Sequence, residues 1–300
     1  MGVMKFIVSN NTFSFTGGSE TYAYCLIHAL KRHGYDVDAF TTGPITMVGD
    51  EIKKLGVNIY TKPPHKEYDI ALASHLSTTK YAYQVAKTSI QTCHGIYPDL
   101  EQPDPNISKL VAISKEVYNH ISAKNMCSVV IHNGVDCDRF KPITPINSKL
   151  KKVFSLAHDQ NVNRLIANAC KRIGAEFTWH NKYINPTFNI ESKIQEADLV
   201  VTLGRGAYES MACGRSVLVL DNRGYSGQGM VGDGILTSEN IDKSLENNCS
   251  GRALKKIFNE DLLIKELQKY NCELGEFSRE YALDKFDINK QISKYIELAS

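Results

Sequence analysis

The sequence lacks a long apolar run, a strong excess of one charge and any closely paired cysteines. No apolar stretch approaches the roughly 20 residues that a membrane-spanning helix needs, and the first residues show no signal-peptide layout. The 35 basic and 33 acidic side chains leave a formal net charge of +2, too small to indicate a nucleic-acid partner. The eight cysteines include no C-x-x-C pair, which argues against a disulfide framework and a zinc site. We therefore expect reduced thiols in a cytoplasmic protein.

The sequence does contain an alternation of short β-branched runs with amphipathic segments. The alternation extends from Lys5 to Ile131 and resumes from Lys152 to Leu220, and this spacing indicates β-α-β units around mostly parallel sheets. Between the two blocks, Pro142 to Lys151 holds two prolines and few apolar residues, as a linker does. The length predicts more than one domain. We expect two Rossmann-like α/β domains and a C-terminal helical segment, at residues 1–145, 150–275 and 276–300.

Beyond Gly234 the alternation gives way to helical patterns. The helices predicted there are Ile241–Asn247, Gly251–Phe258, Asp261–Leu274 and Ser278–Ala299. The stretch before them, Asp221 to Gly234, holds five glycines, which predicts either an ordinary mobile loop or one that closes over a ligand. The C-terminal helices carry mixed charges, which favours a solvated face. A weak, peripheral association with a membrane surface is the alternative.

A strand, a tight turn and a short helix follow one another around Arg205. Leu199 to Leu203 is apolar and β-branched, Gly204-Arg205-Gly206 forms the turn, and Ala207 to Cys213 has a helical pattern. A glycine turn that opens onto a helix N-terminus presents backbone N–H groups and a partial positive charge, so it suits a phosphate. Arg205 adds a planar fork of donors that matches phosphate. The alternative is an ordinary surface arginine in a turn.

Two further candidate positions lie where strands of the N-terminal block end. Gly17 and Gly18 open a helix after the first strand, where glycine permits close approach of a ligand or simply forms a turn. His94 follows the strand Ser89–Thr92. Ligands of open α/β sheets bind at the carboxyl ends of the strands, so we expect these residues near a binding site. The alternative for His94 is a packed loop histidine.

Three segments resemble motifs of a known enzyme family, in the correct order along the chain. They are the glycine loop Gly17-Gly18-Ser19-Glu20, the turn Asn133-Gly134-Val135-Asp136 that precedes Phe140 and Pro142, and the stretch Ala197–Val217, which contains Glu209-Ser210-Met211-Ala212-Cys213-Gly214. On these matches the chain resembles glycosyltransferases of the GT-B type, nearest to glycosyltransferase family 4. The resemblance extends from about Lys5 to Gly234.

The resemblance implies a GT-B fold, in which two Rossmann-like domains face each other across a cleft and a last helix crosses back to the first domain. It implies transfer of a sugar from a nucleotide diphosphate sugar, with UDP expected, to an acceptor hydroxyl. It also implies retention of the anomeric configuration without a metal or other cofactor. The donor is expected mainly on the second domain. The acceptor, a glycan, a lipid-linked sugar or a small molecule, is expected on the first.

The resemblance also assigns roles to residues of the second domain. Glu209 would bind the ribose hydroxyls of the nucleotide, the alternative being a solvated helix carboxylate. Arg205 would hold the diphosphate together with the turn and helix start formed by Gly204, Gly206 and Ala207. Negative charge grows on the diphosphate as it leaves, so a preorganised cation there lowers the barrier.

On the first domain the resemblance places an active-site histidine at His94. This side chain would bond the transferred sugar or orient the acceptor hydroxyl. Gly17 and Gly18 would let the backbone approach the donor phosphates or the acceptor. These expectations make His94 and Arg205 the candidate catalytic residues, and they include no metal ligand.

The sequence departs from the family pattern at two points, and this keeps other functions open. Val201 stands where the first of two family glutamates is usual, and Leu156 to Arg164 holds no clear counterpart of the usual Arg and Lys. One alternative is a degenerate GT-B protein that binds nucleotide or a partner without catalysis. Another is a different sugar-nucleotide enzyme, such as an epimerase. Asn10-Asn11-Thr12 stands where G-x-G-x-x-G would follow the first strand, which argues against an NAD-dependent enzyme.

Overall fold

The structure, a computed structural model, describes residues 3–223 and 229–300 of the chain. The chain divides into two compact units. The first unit comprises Met1–Asp136 together with Ile288–Ser300, and the second comprises Cys137–Asp287. The C-terminal residues therefore belong with the N-terminal block, and the chain changes unit after Asp136 and again after Asp287.

Each unit is built around its own sheet. Along the chain the described strands are β1 (Lys5–Asn10), β2 (Asp36–Thr41), β3 (Ile59–Tyr60), β4 (Tyr68–Ala73), β5 (Ala86–Cys93), β6 (Lys109–Ala112), β7 (Val129–Val130), β8 (Lys152–Ser155), β9 (Glu176–Trp179), β10 (Leu199–Thr202), β11 (Ser216–Asn222) and β12 (Met230–Ile235). The first unit has a seven-stranded sheet in the order β3-β2-β1-β4-β5-β6-β7, parallel throughout. The second has a five-stranded sheet in the order β12-β11-β10-β8-β9, in which β12 runs antiparallel to β11. The predicted α/β class with mostly parallel sheets is confirmed.

Helices form most of the connections between the parallel strands. They are α1 (Gly18–Arg32), α2 (Met47–Lys54), α3 (Leu76–Val85), α4 (Lys115–Ser122), α5 (Gln160–Ile173), α6 (Ile190–Gln195), α7 (Arg205–Ala212), α8 (Ile241–Glu246), α9 (Glu260–Leu267), α10 (Glu273–Lys285) and α11 (Ile288–Ala299). Across the two described ranges, none of them has both the length and the apolar character that a bilayer crossing requires.

The central strands are buried because their side chains are apolar on both faces. Phe6–Val8 of β1 and Leu199–Val201 of β10 are at most 2% exposed. Such near-continuous apolar runs are typical of parallel strands that are covered on both sides. Each large side chain buried in this way contributes about 1.5–3 kcal/mol. The central strands of both sheets are therefore part of the buried cores of their units.

The proline-bearing segment expected as the linker is held within the second unit. Asn147 donates its backbone N–H to Oδ1 of the buried Asp198 at 2.8 Å. The guanidinium of Arg215, which is 1% exposed, donates to the carbonyl oxygen of Thr144 at 2.7 Å. These buried polar contacts tie residues 142–151 to the sheet. The change of unit falls before this segment, directly after Asp136.

The glycine-rich stretch Asp221–Gly234 is only partly the loop that was predicted. Its second half belongs to β12, which pairs with β11 in a register that shifts between Val219 and Leu220. Gly232 is required there, because a side chain would collide with the carbonyl oxygen of Val219. The prediction was therefore wrong for Met230–Gly234, since a period-two pattern is hard to see among glycines. The middle of the predicted loop, 224–228, lies outside the described residues.

The helix predicted over Gly251–Phe258 is absent from the described structure of those residues. Gly251 and Lys255 have positive φ values of 79° and 52°, which a helix cannot contain. Lys256 instead exchanges two backbone hydrogen bonds with Gly232, at 2.9 and 2.7 Å. This pairing with the edge strand β12 replaces the helix, and a local sequence pattern does not reveal such a distant partner.

The last two predicted helices also differ from the observed ones. Asp261–Leu274 divides into α9 and the start of α10, and the intervening Tyr270 donates its hydroxyl to the carbonyl oxygen of Asn147 at 2.6 Å. Ser278–Ala299 divides into α10 and α11 where Phe286 stacks on Tyr208, with ring centroids 4.0 Å apart. The short helix α6 was not predicted at all.

The final helix, α11, packs within the first unit. Tyr295 is buried, and its hydroxyl lies 2.7 Å from the hydroxyls of both Tyr22 on α1 and Thr92 on β5. The backbone N–H of Ile288 donates to the carbonyl oxygen of Val135 at 3.0 Å. The residues after Asp287 are therefore part of the first unit's core.

Candidate functional site

In the second unit, the turn after β10 leads directly into helix α7. Gly204 has φ +56° and ψ −128°, a backbone conformation that favours glycine. Its N–H donates to the carbonyl oxygen of Cys249 and its own carbonyl accepts the N–H of Ala207, each at 2.9 Å. A side chain at Gly206 would collide with Oγ1 of Thr202. Both glycines therefore have packing roles, and the Ala207 N–H is already engaged by the turn.

Arg205 and Glu209 form a buried ion pair on α7. Nε of Arg205 lies 2.8 Å from Oε1 of Glu209, and each residue is only 8% exposed. The spacing i, i+4 places the two side chains on one face of the helix. Burial raises the pKa of Glu209, and the positive charges of Arg205 and Arg139 oppose that rise. Two predicted site residues are therefore brought together where β10 ends.

A second ion pair belongs to the same electrostatic environment. Nη2 of Arg139 lies 2.9 Å from Oε2 of Glu191, the guanidinium stacks over the ring of Phe188 at 4.2 Å, and it donates to the Phe188 carbonyl oxygen. We call Arg205, Glu209, Arg139 and Glu191 the charged cluster. In the sequence, Arg139 follows the turn Asn133–Asp136, which indicates only a structural role in that turn. Glu191 lies on the unpredicted α6. For this pair of the charged cluster, the sequence signal was limited to the arginine within Asn133–Pro142.

Two other arginines of the second unit are alternative candidates for a phosphate ligand. Arg223 follows β11, where its Nε lies 2.8 Å from Oδ2 of the fully buried Asp221 and its Nη1 lies 2.8 Å from Nδ1 of His158. Burial, with the charges of Arg223 and Lys182, lowers the pKa of His158 to about 3. Arg164 lies on the exposed side of α5 and donates to Asn161 at 2.9 Å. Arg223 is therefore at the carboxyl end of the sheet, and Arg164 is on a solvated helix.

In the first unit, the two predicted glycines begin helix α1. Gly17 is the residue that caps the helix, and a side chain there would collide with the carboxylate of Glu20. The hydroxyl of Ser19 donates to the same carboxylate at 3.1 Å. A side chain at Gly18 would meet no described atom within 4 Å. The helix N-terminus is therefore covered by a carboxylate at Gly17 and open at Gly18.

His94 lies at the carboxyl end of β5, among aromatic neighbours. Its ring is 5.2 Å from that of Tyr22, in an edge-on arrangement, and 6.2 Å from that of His75. His75 is buried, and its Nδ1 accepts the backbone N–H of Asn11 at 3.2 Å. Burial lowers the pKa of His75 to about 4, so this ring is neutral at pH 7. His94 is partly buried, and its Nε2 atom is not exposed to solvent.

A carboxyl group that the sequence did not indicate lies beside His94. A side chain at Gly95 would collide with Oε2 of Glu101, so the carboxyl group lies against the backbone of the residue that follows His94. Burial raises the pKa of Glu101 to about 7, and the negative charge of Glu20 adds to that rise. Nothing in the local sequence distinguishes Glu101 from an ordinary loop glutamate.

The described residues offer no obvious metal centre. No group of three or more His, Cys, Asp and Glu side chains in the described ranges has an arrangement that could hold a metal ion. A cavity of about 490 Å³ in the second unit lies near the start of β8, between Leu150, Arg172 and Tyr270. None of the predicted site residues lines it, and it lies at the amino end of the sheet rather than at the carboxyl end.

Comparison with known proteins gives matches in structure but not in sequence. No family model matches the chain, and no curated protein does either. Several solved structures match over the whole chain at low identity.

A glycosyltransferase from Rickettsia africae ESF-5 matches with a TM-score of 0.64 and 15% identity, over 100% of this chain and 98% of that one. An α-glucosyltransferase, solved with UDP and a 13-mer DNA containing a HMU base, matches with a TM-score of 0.55 and 12% identity, over 99% and 100%. A protein described as a UDP-N-acetylglucosamine 2-epimerase from Listeria monocytogenes matches with a TM-score of 0.59 and 13% identity, over 99% and 95%. At these identities the matches concern the fold alone. The chain has the GT-B fold, with two Rossmann-like units that each carry a mostly parallel sheet.

Proposed function

We propose that this protein is a glycosyltransferase that moves a sugar from a nucleotide diphosphate sugar to an acceptor hydroxyl. The observation that carries the proposal is the buried Arg205–Glu209 pair at the N-terminus of α7, directly after β10. Ligands of open α/β sheets bind at this end of the strands. The GT-B fold is consistent with this chemistry but does not by itself assign it.

Local helix energetics do not explain the placement of this pair. A cation in the first turn of a helix stands at the positive end of the helix dipole, which is unfavourable. An arginine that precedes a glutamate by four residues is also the weaker of the two orientations for such a pair. An arriving diphosphate would reverse both effects, because it brings negative charge to the guanidinium and to the helix end.

The two side chains divide the nucleotide between them. Glu209 engages the Nε side of the guanidinium, and the diphosphate would bind through the Nη side, with the turn at Gly204 and the N–H of Gly206. The carboxylate of Glu209 would accept hydrogen bonds from the ribose hydroxyls. Ala207 contributes through the turn that its N–H closes. As the sugar leaves, charge on the diphosphate grows and Arg205 stabilises it.

The first unit would bind the acceptor. His94 would contact the transferred sugar or the acceptor hydroxyl, and the open position at Gly18, beside Gly17, would allow close approach. The acceptor is a glycan, a lipid-linked sugar or a small molecule. In the α-glucosyltransferase named above the second bound molecule is DNA; the net charge of +2 does not favour that partner here.

The finer assignment follows the motif resemblance. We propose membership of glycosyltransferase family 4, a UDP-sugar donor, retention of the anomeric configuration, and chemistry without a metal or cofactor. Cytoplasmic glycan biosynthesis, with at most weak peripheral membrane association, is the corresponding biological setting.

The test is an incubation of the purified protein with UDP-, GDP- and dTDP-sugars. We expect release of the nucleoside diphosphate from one donor by slow hydrolysis, unaffected by a chelator, and loss of most of that release in Arg205→Ala. Recovery of an epimerised nucleotide sugar without release of nucleotide would assign the protein to epimerases. Binding of nucleotide without turnover of any donor would indicate a degenerate GT-B protein.

A further inference from the structure

The loop that follows α8 in the second unit begins with a helix C-terminal cap. The N–H of Asn248 donates to the carbonyl oxygen of Leu245, and the N–H of Cys249 donates to that of Ser244, each at 2.9 Å. Asn248 has a positive φ of 58°. This pair of hydrogen bonds with a left-handed residue is common at helix ends, where asparagine can replace glycine. The cap by itself therefore requires no function.

The cap at the end of α4 in the first unit has the same hydrogen bonds and shows what is different at α8. Asn125 has φ 59°, its N–H donates to the carbonyl oxygen of Ser122 at 2.9 Å, and the N–H of Met126 donates to that of Ile121 at 3.4 Å. Met126 does not have a positive φ, whereas Cys249, at the equivalent position after α8, has φ 45° and is buried. Such backbone strain is uncommon outside glycine and occurs often at functional sites. The cap alone does not explain this second left-handed residue.

We call Asn248 and Cys249 the extended cap, and both residues bond to the start of α7. The carbonyl oxygen of Cys249 accepts the N–H of Gly204 at 2.9 Å. Oδ1 of Asn248 accepts the hydroxyl of Tyr208, which is fully buried, at 2.7 Å. One bond therefore holds the glycine that precedes Arg205, and the other holds the helix turn that follows it. Together they fix how α7 is rotated about its own axis.

The extended cap is itself held on both sides, so it can serve as a fixed support. On one side its two N–H groups are bonded to α8. On the other side Gly251 has φ 79°, and a side chain there would collide with the carbonyl oxygen of Val231 on β12. The segment from Asn248 to Gly251 thus lies closely packed between α8 and the edge strand of the sheet.

We propose that Asn248 and Cys249 are positioning residues, which hold the Arg205 guanidinium in the orientation that the donor diphosphate needs. The proposal rests on the glycosyltransferase function and on the donor site proposed above. The extended cap acts through Gly204 and Tyr208, and its contribution is to the geometry of α7 alone. Helix α7 has only eight residues, so contacts from outside it decide its orientation. A misplacement of about 1 Å in such a site can cost about 100-fold in rate.

The experiment is a calorimetric titration of the full-length protein with UDP, GDP and dTDP and, for the diphosphate that binds, with the matching nucleoside. Asn248→Gly keeps the left-handed backbone but removes the acceptor of the Tyr208 hydroxyl. Tyr208→Phe removes the same hydrogen bond from the other side. Each variant should lower the affinity for the diphosphate about tenfold, or roughly 1.4 kcal/mol, and leave the affinity for the nucleoside unchanged. The double variant should bind no more weakly than either single variant, because both changes remove one bond.

The matched control is Asn125→Gly, which changes the same kind of cap in the first unit and should bind both compounds as the parent does. An equal loss of diphosphate and nucleoside affinity in Asn248→Gly would overturn the inference, because the extended cap would then only support the fold. If Arg205→Ala weakens diphosphate binding while Asn248→Gly and Tyr208→Phe do not, the inference is also overturned and the proposed donor site stands. If the parent binds none of the three diphosphates, the proposed function fails and this inference fails with it.

Discussion

Different kinds of side chain lie at the carboxyl ends of the two sheets. In the first unit the groups there are histidines and a carboxyl group: His75, His94 and Glu101. Neither His75 nor Glu101 is bonded to a lysine or arginine in the described part of the chain, and burial moves both pKa values towards the neutral form. In the second unit the groups are arginine–carboxylate pairs, Arg205–Glu209 and Arg223–Asp221, each at 2.8 Å.

This difference suggests that the two units bind different substrates, the donor and the acceptor. Fixed guanidinium charges suit a diphosphate, because they stay protonated at every relevant pH. Groups held near neutrality suit an acceptor, because they can exchange a proton without attracting an anion. The experiments that follow test each side of the comparison, from the largest expected effect to the smallest.

Removing Arg205 should have the largest effect on the second unit. We expect Arg205→Ala to lower donor turnover by about two to three orders of magnitude, since truncating one partner of a buried charge pair costs roughly 2–5 kcal/mol. Arg205→Lys should recover only part, because lysine lacks the planar fork. Turnover and affinity for UDP and uridine would be measured on each protein.

Two control experiments accompany this prediction. Uridine, which has no phosphate, should bind all three proteins alike. Arg164→Ala removes an exposed arginine of the same unit and should leave turnover unchanged. Normal turnover in Arg205→Ala would place the diphosphate elsewhere, with Arg223 as the next candidate. Thermal unfolding of Arg205→Ala shows whether the unpaired Glu209 has destabilised the fold.

Acidification should weaken the first unit through His75. Burial lowers its pKa to about 4 in the folded state, against about 6.5 for a histidine exposed to water, so the unfolded chain binds the proton more tightly. The contribution of neutral His75 to the free energy of unfolding is therefore complete above about pH 6.5. It is lost as the pH falls towards 4, and the loss is about 3 kcal/mol at most. The variant His75→Gln can still accept the Asn11 N–H. Its free energy of unfolding, measured in urea, should depend less on pH over this range. An unchanged slope would mean that His75 titrates normally.

Weakening Glu209 should have a smaller effect, limited to nucleotide binding. Glu209→Gln keeps the shape but loses the charged acceptor, so UDP affinity should fall about tenfold, or roughly 1.4 kcal/mol. Calorimetric titration measures this affinity, and circular dichroism checks the fold. Glu191→Gln, in the neighbouring ion pair, should reduce affinity less. Unchanged affinity in Glu209→Gln would remove this carboxylate from the ribose site.

The elements that sequence predicted well are those with local signals. The sequence predicts a helix from Val162 to Ile173 that Gly174 ends, and α5 does end there, at a glycine with φ +72°. Its start lies earlier, at Gln160, where Asp159 caps the helix. The short run Glu176–Trp179 predicts a strand, and β9 has these bounds. The paired side chains Arg205 and Glu209 were both singled out, because a single short motif contains them.

The features that sequence did not predict depend on distant partners. Strand β12 exists because β11 and Lys256 pair with its backbone. Arg139 joins the charged cluster through α6, which has a weak helical pattern. Glu101 becomes distinctive only when the chain folds it against Gly95, near the charge of Glu20. In each case the deciding interaction lies outside any window that a sequence pattern covers.

The most direct test of the central claim is hydrogen–deuterium exchange with and without saturating UDP. If the second unit holds the nucleotide at the start of α7, amides in Gly204–Cys213 should gain the strongest protection. The loop Gly95–Glu101 of the first unit should change little, because it is assigned to the acceptor. Protection confined to the first unit, with none at Gly204–Cys213, would contradict the division between the two sheets and the proposed donor site with it.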